Sequence, residues 1–141
     1  MTINAKQDEL IGEFELFGGW MDKYEYIIEL GKELPLIAEE YRKDENLIRG
    51  CQAKVWLHAE LVDGSVRFTA DSDAIITRGL VSMVVKILSG HTPREIQQAE
   101  LYFIDRVGLK DHLSPTRANG LLSMVRQMKL FALAFQTFQT P

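Results

Sequence analysis

The chain has 141 residues, 46% hydrophobic and 26% charged, with a formal net charge of −4. That is enough for one domain, 1–141, with a sizeable core and an ordinary soluble balance. No apolar run approaches the ~20 residues of a membrane span, and the cations are scattered rather than gathered into the basic stripe that nucleic acid requires, so neither partner is expected. One cysteine permits no internal disulfide. The early acidic residues of "MTINAKQDELIGEFELF" do not suit a signal peptide, and a reducing cytoplasm is the expected location.

The first predicted element is a helix from Ala5 to Phe17, with Leu10, Ile11, Phe14 and Phe17 at helical spacing. Gly18 and Gly19 break it. A second helix runs from Met21 to Lys32, with Tyr24, Ile27, Ile28 and Gly31 on its inner side, and Pro35 ends it. Residues 35–47 read as irregular or weakly helical.

The period then changes. In "AKVWLHAEL", Val55, Leu57, Ala59 and Leu61 share one face, and Trp56, His58 and Glu60 share the other. Asp63-Gly64 signals a hairpin turn. Val66, Phe68 and Ala70 alternate on the return strand, and a short strand at Leu47–Ile48 would make about three in all.

The next helix opens at "DSD", where Ser72 or Asp71 can cap the first amides and Asp73 suits the positive helix end. Its apolar stripe is Ile76, Leu80, Val84, Ile87 and Leu88, and Gly90 stops it. Thr92, Pro93 and Glu95 spell a capping box for a following helix. Tyr102 to Val107 reads as a short helical turn. The last helix begins at Ser114-Pro115 and turns Leu121, Val125, Met128, Ala132 and Phe135 to the core. Helices, a small antiparallel sheet, then helices make an α+β domain with helices packed on the sheet.

The candidate chemistry is sparse. Cys51, His58, His91 and His112 show no paired metal-ligand spacing, so no metal is expected. His58-Ala59-Glu60 matches half of a zinc deaminase signature, but the partner "PCxxC" is missing. No phosphate-binding loop and no G-x-S-x-G elbow occurs. The carboxylates of "DSD" resemble a catalytic pair, though helix capping is their commoner role.

Cys51 remains. A lone cysteine is most often a small buried hydrophobe. Gly50 before it and Gln52 after it argue for a hinged, displayed segment at an element boundary. A free thiol is only slightly ionised at neutral pH, so a nearby cation such as Arg49 or Arg117 would raise its reactivity. A cysteine hydrolase would need a histidine base. On an unbroken strand His58 points away from Cys51, which leaves His91 or His112.

Four blocks in order, "WMDKYEYIIELGKELP" at 20–35, "IRGCQAKVWL" at 48–57, "DSDAIITRGLVSMVVKILSGHTP" at 71–93 and "GLKDHLSPTRANGLLSMV" at 108–125, make the chain resemble the SufE family of sulfur-acceptor proteins. The likeness spans roughly residues 10–130. Lys54 stands where a residue such as glutamine is expected. The resemblance implies an α+β fold shared with IscU-type scaffolds. It implies that Cys51 accepts sulfane sulfur from a SufS-type, pyridoxal-phosphate cysteine desulfurase, stimulates it, and passes the sulfur toward iron–sulfur cluster assembly. Arg117 matches the arginine near the cysteine loop, which makes Gly50, Gln52 and Arg117 the expected sulfur-site neighbourhood. Asp71 and Asp73 match the acidic helix start, facing a partner. The chain itself would be a carrier without independent turnover and without a cofactor, a monomer or weak homodimer. Val55 and Trp56 are candidates for an apolar wall behind the persulfide.

A second thiol nearby could reduce a persulfide, so a single cysteine suits a carrier. A cluster scaffold needs several thiolates. The alternative is a cysteine-nucleophile hydrolase, or a redox-sensing thiol protein, acting on a small molecule without a partner.

Overall fold

The computed structural model describes residues 1–139. Its architecture is α+β. Two helices lead, α1 (Ile3–Glu15) and α2 (Trp20–Gly31). The hairpin β1 (Val55–Val62) and β2 (Ser65–Ser72) follows, then α3 (Ile75–Leu88), α4 (Pro93–Gln98), α5 (Phe103–Val107), α6 (Leu109–His112) and α7 (Pro115–Gln139).

Local chemistry sets most of the boundaries. Thr2 caps α1, accepting from the Ala5 amide at 3.0 Å, so the helix begins two residues before the expected Ala5. The α4 capping box between Thr92 and Glu95 is complete. Asp63 and Gly64 both take positive φ, 52° and 83°, as a two-residue hairpin turn demands. The register pairs Val55 with Ser72 and Val62 with Ser65.

The sheet has two strands among the described residues, not about three. Residues 47–48 form only a bridge, Leu47 to Trp56, because the chain turns away at once through Gly50. On the opposite edge Leu36 bridges Ala70, and Ile37 donates to the Ala70 carbonyl at 3.1 Å. These stubs occupy backbone groups that a bare two-stranded hairpin would leave open.

The inner face of the sheet carries Val55, Leu57, Phe68 and Ala70, all buried against the helices. The chain between Glu39 and Asn46, two short 3-10 turns, covers the outer face. There Tyr41 stacks on His58 at 3.7 Å and Arg42 lies 4.4 Å from the Trp56 ring. Helix α3 is the centre of the fold and is buried nearly all round, beyond the stripe that periodicity outlines. It meets α2 at backbone contact: a Cβ on Gly79 would lie 2.1 Å from the Ile27 carbonyl oxygen. Ser82 Oγ donates to the Leu30 carbonyl across that seam at 2.7 Å. In α7 the buried apolar side chains are those of Leu121, Met124, Met128 and Ala132, with Val125 and Phe135 packed against them. Each large side chain fully buried here contributes roughly 1.5–3 kcal/mol. No helix among the described residues is long and apolar enough to cross a membrane.

Candidate functional site

Residues 49–54 leave the sheet and return to it on a closed base. The Ile48 amide donates to the Val55 carbonyl at 2.8 Å. Gly50 has φ 88°, in the left-handed region, and a side chain there would sit 2.9 Å from Ser123 Oγ of α7. Conformation and space both require glycine at this hinge. The far limb is clamped to the start of α3. The Lys54 amide donates to Asp73 Oδ1 at 3.0 Å, and the Asp73 amide donates to the Lys54 carbonyl at 3.2 Å.

Cys51 is at the tip, half-buried. Its Sγ lies 3.6 Å from the Gly120 carbonyl of α7, a distance at which the thiol donates weakly. A Cβ on Gly120 would come 3.2 Å from that sulfur, so the missing side chain lets the helix pass beside the thiol. The cysteine opens on a pocket of about 330 Å³. Its buried lining is apolar, with Val55, Leu80, Val81, Leu121 and Met124. Its exposed lining is polar and includes Gln52, Asp73 and Arg117. Burial pushes the Cys51 thiol above its ordinary pKa, because a thiolate would lose water there. Burial at this site therefore favours the neutral thiol over the thiolate, and a nearby cation would oppose that effect.

The structure brings Cys51, Gln52 and Arg117 to one pocket, with Gly50 as the hinge behind them and Asp73 on the exposed side. Arg117 reaches it from the first turn of α7, where its amide donates to Ser114 Oγ at 3.2 Å. Asp71 corrects the expectation of a partner-facing helix start. Strand β2 runs on through Ser72, so Asp71 lies in the sheet opposite Trp56, buried on the outer face. It pairs with Arg42 at 2.8 Å and Arg78 at 2.9 Å, and its Oδ1 accepts from the Ser72 amide at 2.8 Å. Ala74 takes the cap position of α3 with no side-chain cap bond. Trp56 is likewise on that outer face under Arg42, and only Val55 of the two proposed wall residues lines the pocket.

Sequence reasoning missed Gly120, Ser123, Arg42 and Arg78. Gly120 left a usable signal, since an isolated glycine inside a helical pattern commonly marks a close packing contact. Arg42 left none, because Asp71 is distant from it in sequence, and Arg78, though near Asp71 in sequence, lies across the boundary from strand to helix.

The histidines are elsewhere. His58 stacks on Tyr41, His112 stacks on Trp20 at 3.8 Å, and His91 is buried beside β2, its carbonyl accepting from Val66 at 2.8 Å. None of them lines the Cys51 pocket. Among the described residues no three His, Cys, Asp or Glu side chains converge as a metal site would require.

Residues 8–132 match the family model described as "SufE: Fe-S metabolism associated domain". An uncharacterized SufE-like protein of Rhizobium meliloti (strain 1021) is 44% identical over 127 residues, covering 86% of this chain and 91% of the relative. A second uncharacterized SufE-like protein, from Rhizobium etli, is 41% identical over 130 residues, covering 89% and 88%. The solution structure of a hypothetical protein from Thermus thermophilus superposes with a TM-score of 0.78 over 94% of this chain and 96% of that one. At 17% identity that likeness shows the fold alone. With the fold, the cysteine loop and the match over most of its length in agreement, the chain belongs to the SufE family and has a sulfur-related role in Fe–S metabolism.

Proposed function

We propose that Cys51 accepts sulfane sulfur from a SufS-type cysteine desulfurase and carries it toward an iron–sulfur assembly scaffold in the cytoplasm. The observation that carries this reading is the chain's one cysteine, placed on a glycine-hinged loop with a closed base and opening on an apolar pocket. In the transfer the Cys51 thiolate attacks the outer sulfur of the donor's persulfide. The donor's S–S bond breaks, a new S–S bond forms on Cys51, and the donor cysteine leaves as thiolate and takes the proton that Cys51 gave up. One thiol and one persulfide go in and the same two groups come out, so no oxidant or reductant is consumed. The pyridoxal phosphate that generates the persulfide belongs to the donor.

The pocket suits both halves of the cycle. Its buried apolar lining limits the access of water and small reductants to one side of the sulfur while it is held. The hinge at Gly50 and the weak hold of the Gly120 carbonyl on the thiol let the tip leave. Among the described residues no imidazole lines the Cys51 pocket, which disfavours the hydrolase alternative.

Intact mass after incubation with desulfurase and free cysteine tests the reading. The expected result is the added mass of one or more sulfur atoms, removable by reductant and absent in Cys51→Ser. Cys51→Ser should also abolish desulfurase stimulation while leaving the folded spectrum unchanged. An unchanged mass with every cysteine desulfurase of the same cell would refute it.

A further inference from the structure

A second groove adjoins the thiol pocket further along α7. Ser123 and the segment before Gly50 connect the two. Its volume is about 330 Å³, and it runs between residues 45–49 and one face of α7. The floor is apolar, formed by Leu47, Ile48, Leu57 and Phe131. Leu130 also lines the groove and is 51% exposed. Leu122 and Leu133 are also exposed on α7, and Arg126 stands between Leu122 and Leu130.

The charge of the groove is opposite to that of the chain. Arg49 and Arg126 both line it, both are exposed, and neither has a carboxylate partner among the described residues. Glu45 is the one acidic residue in the lining, in a protein of net charge −4. An apolar floor beside two unpaired guanidinium groups calls for a large apolar side chain flanked by carboxylates. Arg49 also belongs to the cysteine loop, next to the Gly50 hinge, and Gly50 abuts Ser123 of the groove wall. Whatever seats in the groove therefore touches the residue that precedes the hinge.

We infer that this groove is a docking surface for an acidic, apolar-tipped segment of the sulfur-donating desulfurase, and that its engagement of Arg49 brings the cysteine loop to the donor. The inference rests on the proposed function for its choice of partner. It assigns the groove to binding and leaves sulfur transfer to the pocket at Cys51.

Binding to each purified cysteine desulfurase of the same cell is measured by titration calorimetry at two salt concentrations, beside the concentration for half-maximal desulfurase stimulation. Arg126→Glu and Leu130→Glu are compared with wild type. Arg94→Glu, an exposed arginine outside the groove, controls for net charge. The expected result is about a tenfold loss of affinity and a matching rise in half-saturation for each groove variant, with maximal stimulation unchanged and a weaker salt dependence for Arg126→Glu. The control should stay within about twofold. Wild-type affinity in both groove variants would overturn the docking surface and leave the carrier reading intact. No binding by wild type would overturn both. If the variants lose self-association but keep desulfurase affinity, the groove joins two copies of this chain and the inference is wrong.

Discussion

Cys51 and Asp71 flank the same turn of structure and are held in opposite ways. The thiol is half-buried on a loop and meets a carbonyl at 3.6 Å. The carboxylate is buried in the sheet and meets two guanidinium groups and an amide, all within 2.9 Å. Arg42 ties Asp71 to the chain that enters the cysteine loop, and Arg78 ties it to the helix that the loop's far limb is clamped against. The rigid node fixes the feet of the loop. The loose contact leaves its tip free. That division suits the proposed carrier role, because motion at the tip then costs little and does not unravel the base.

The largest expected effect breaks the rigid half. Asp71→Asn leaves two cations around a buried neutral amide, and since both arginines reach solvent in part, the expected loss is about 2–3 kcal/mol by denaturant unfolding. A loss below about 1 kcal/mol would mean that the node anchors nothing. It should also speed Cys51 alkylation, because the loop loses its fixed base.

Gly120→Ala tests the loose half. Alanine is favoured over glycine in a helix by about 1 kcal/mol, whereas its Cβ would crowd the thiol at 3.2 Å. The hinged loop is the side that can give. Stability should hold or rise slightly while native-state alkylation of Cys51 becomes several-fold faster. A clear loss of stability with unchanged alkylation would show that the tip is as firmly seated as Asp71.

The smallest effect is in pH. Burial raises the Cys51 pKa in the folded chain, so folding favours the neutral thiol. Its contribution is complete below the ordinary thiol range near 8.5 and is lost as pH climbs through the raised folded value. Cys51→Ala should flatten that alkaline decline. The alkylation rate of the native protein should reach its midpoint at higher pH than that of the denatured chain, and an equal or lower midpoint would contradict a desolvated resting thiol.

Much of this is legible in the chain. Alternation from Val55 to Leu61 and the Asp63-Gly64 turn define the hairpin, and the Thr92–Glu95 box defines a helix start, because these signals involve residues close in sequence. Cys51 stands out for the same reason, single and next to a glycine. Asp71 misleads because its neighbours suggest a helix cap, while its partners Arg42 and Arg78 come from other segments. The α3 core is larger than its pattern suggests, since periodicity shows one face and a central helix is covered on all of them.

Covalent neighbours and side-chain spacing suffice for the local elements, the single nucleophile and its hinge, and all of these can be read along the chain. Which residues surround the thiol is settled by packing alone. Gly120 and Arg117 arrive from α7 and Asp73 from just before α3, and they line one pocket with Cys51 because the packing of those helices brings their N-terminal ends to the loop. Where a core closes is a property of the whole chain, and the half-burial of Cys51 follows from it.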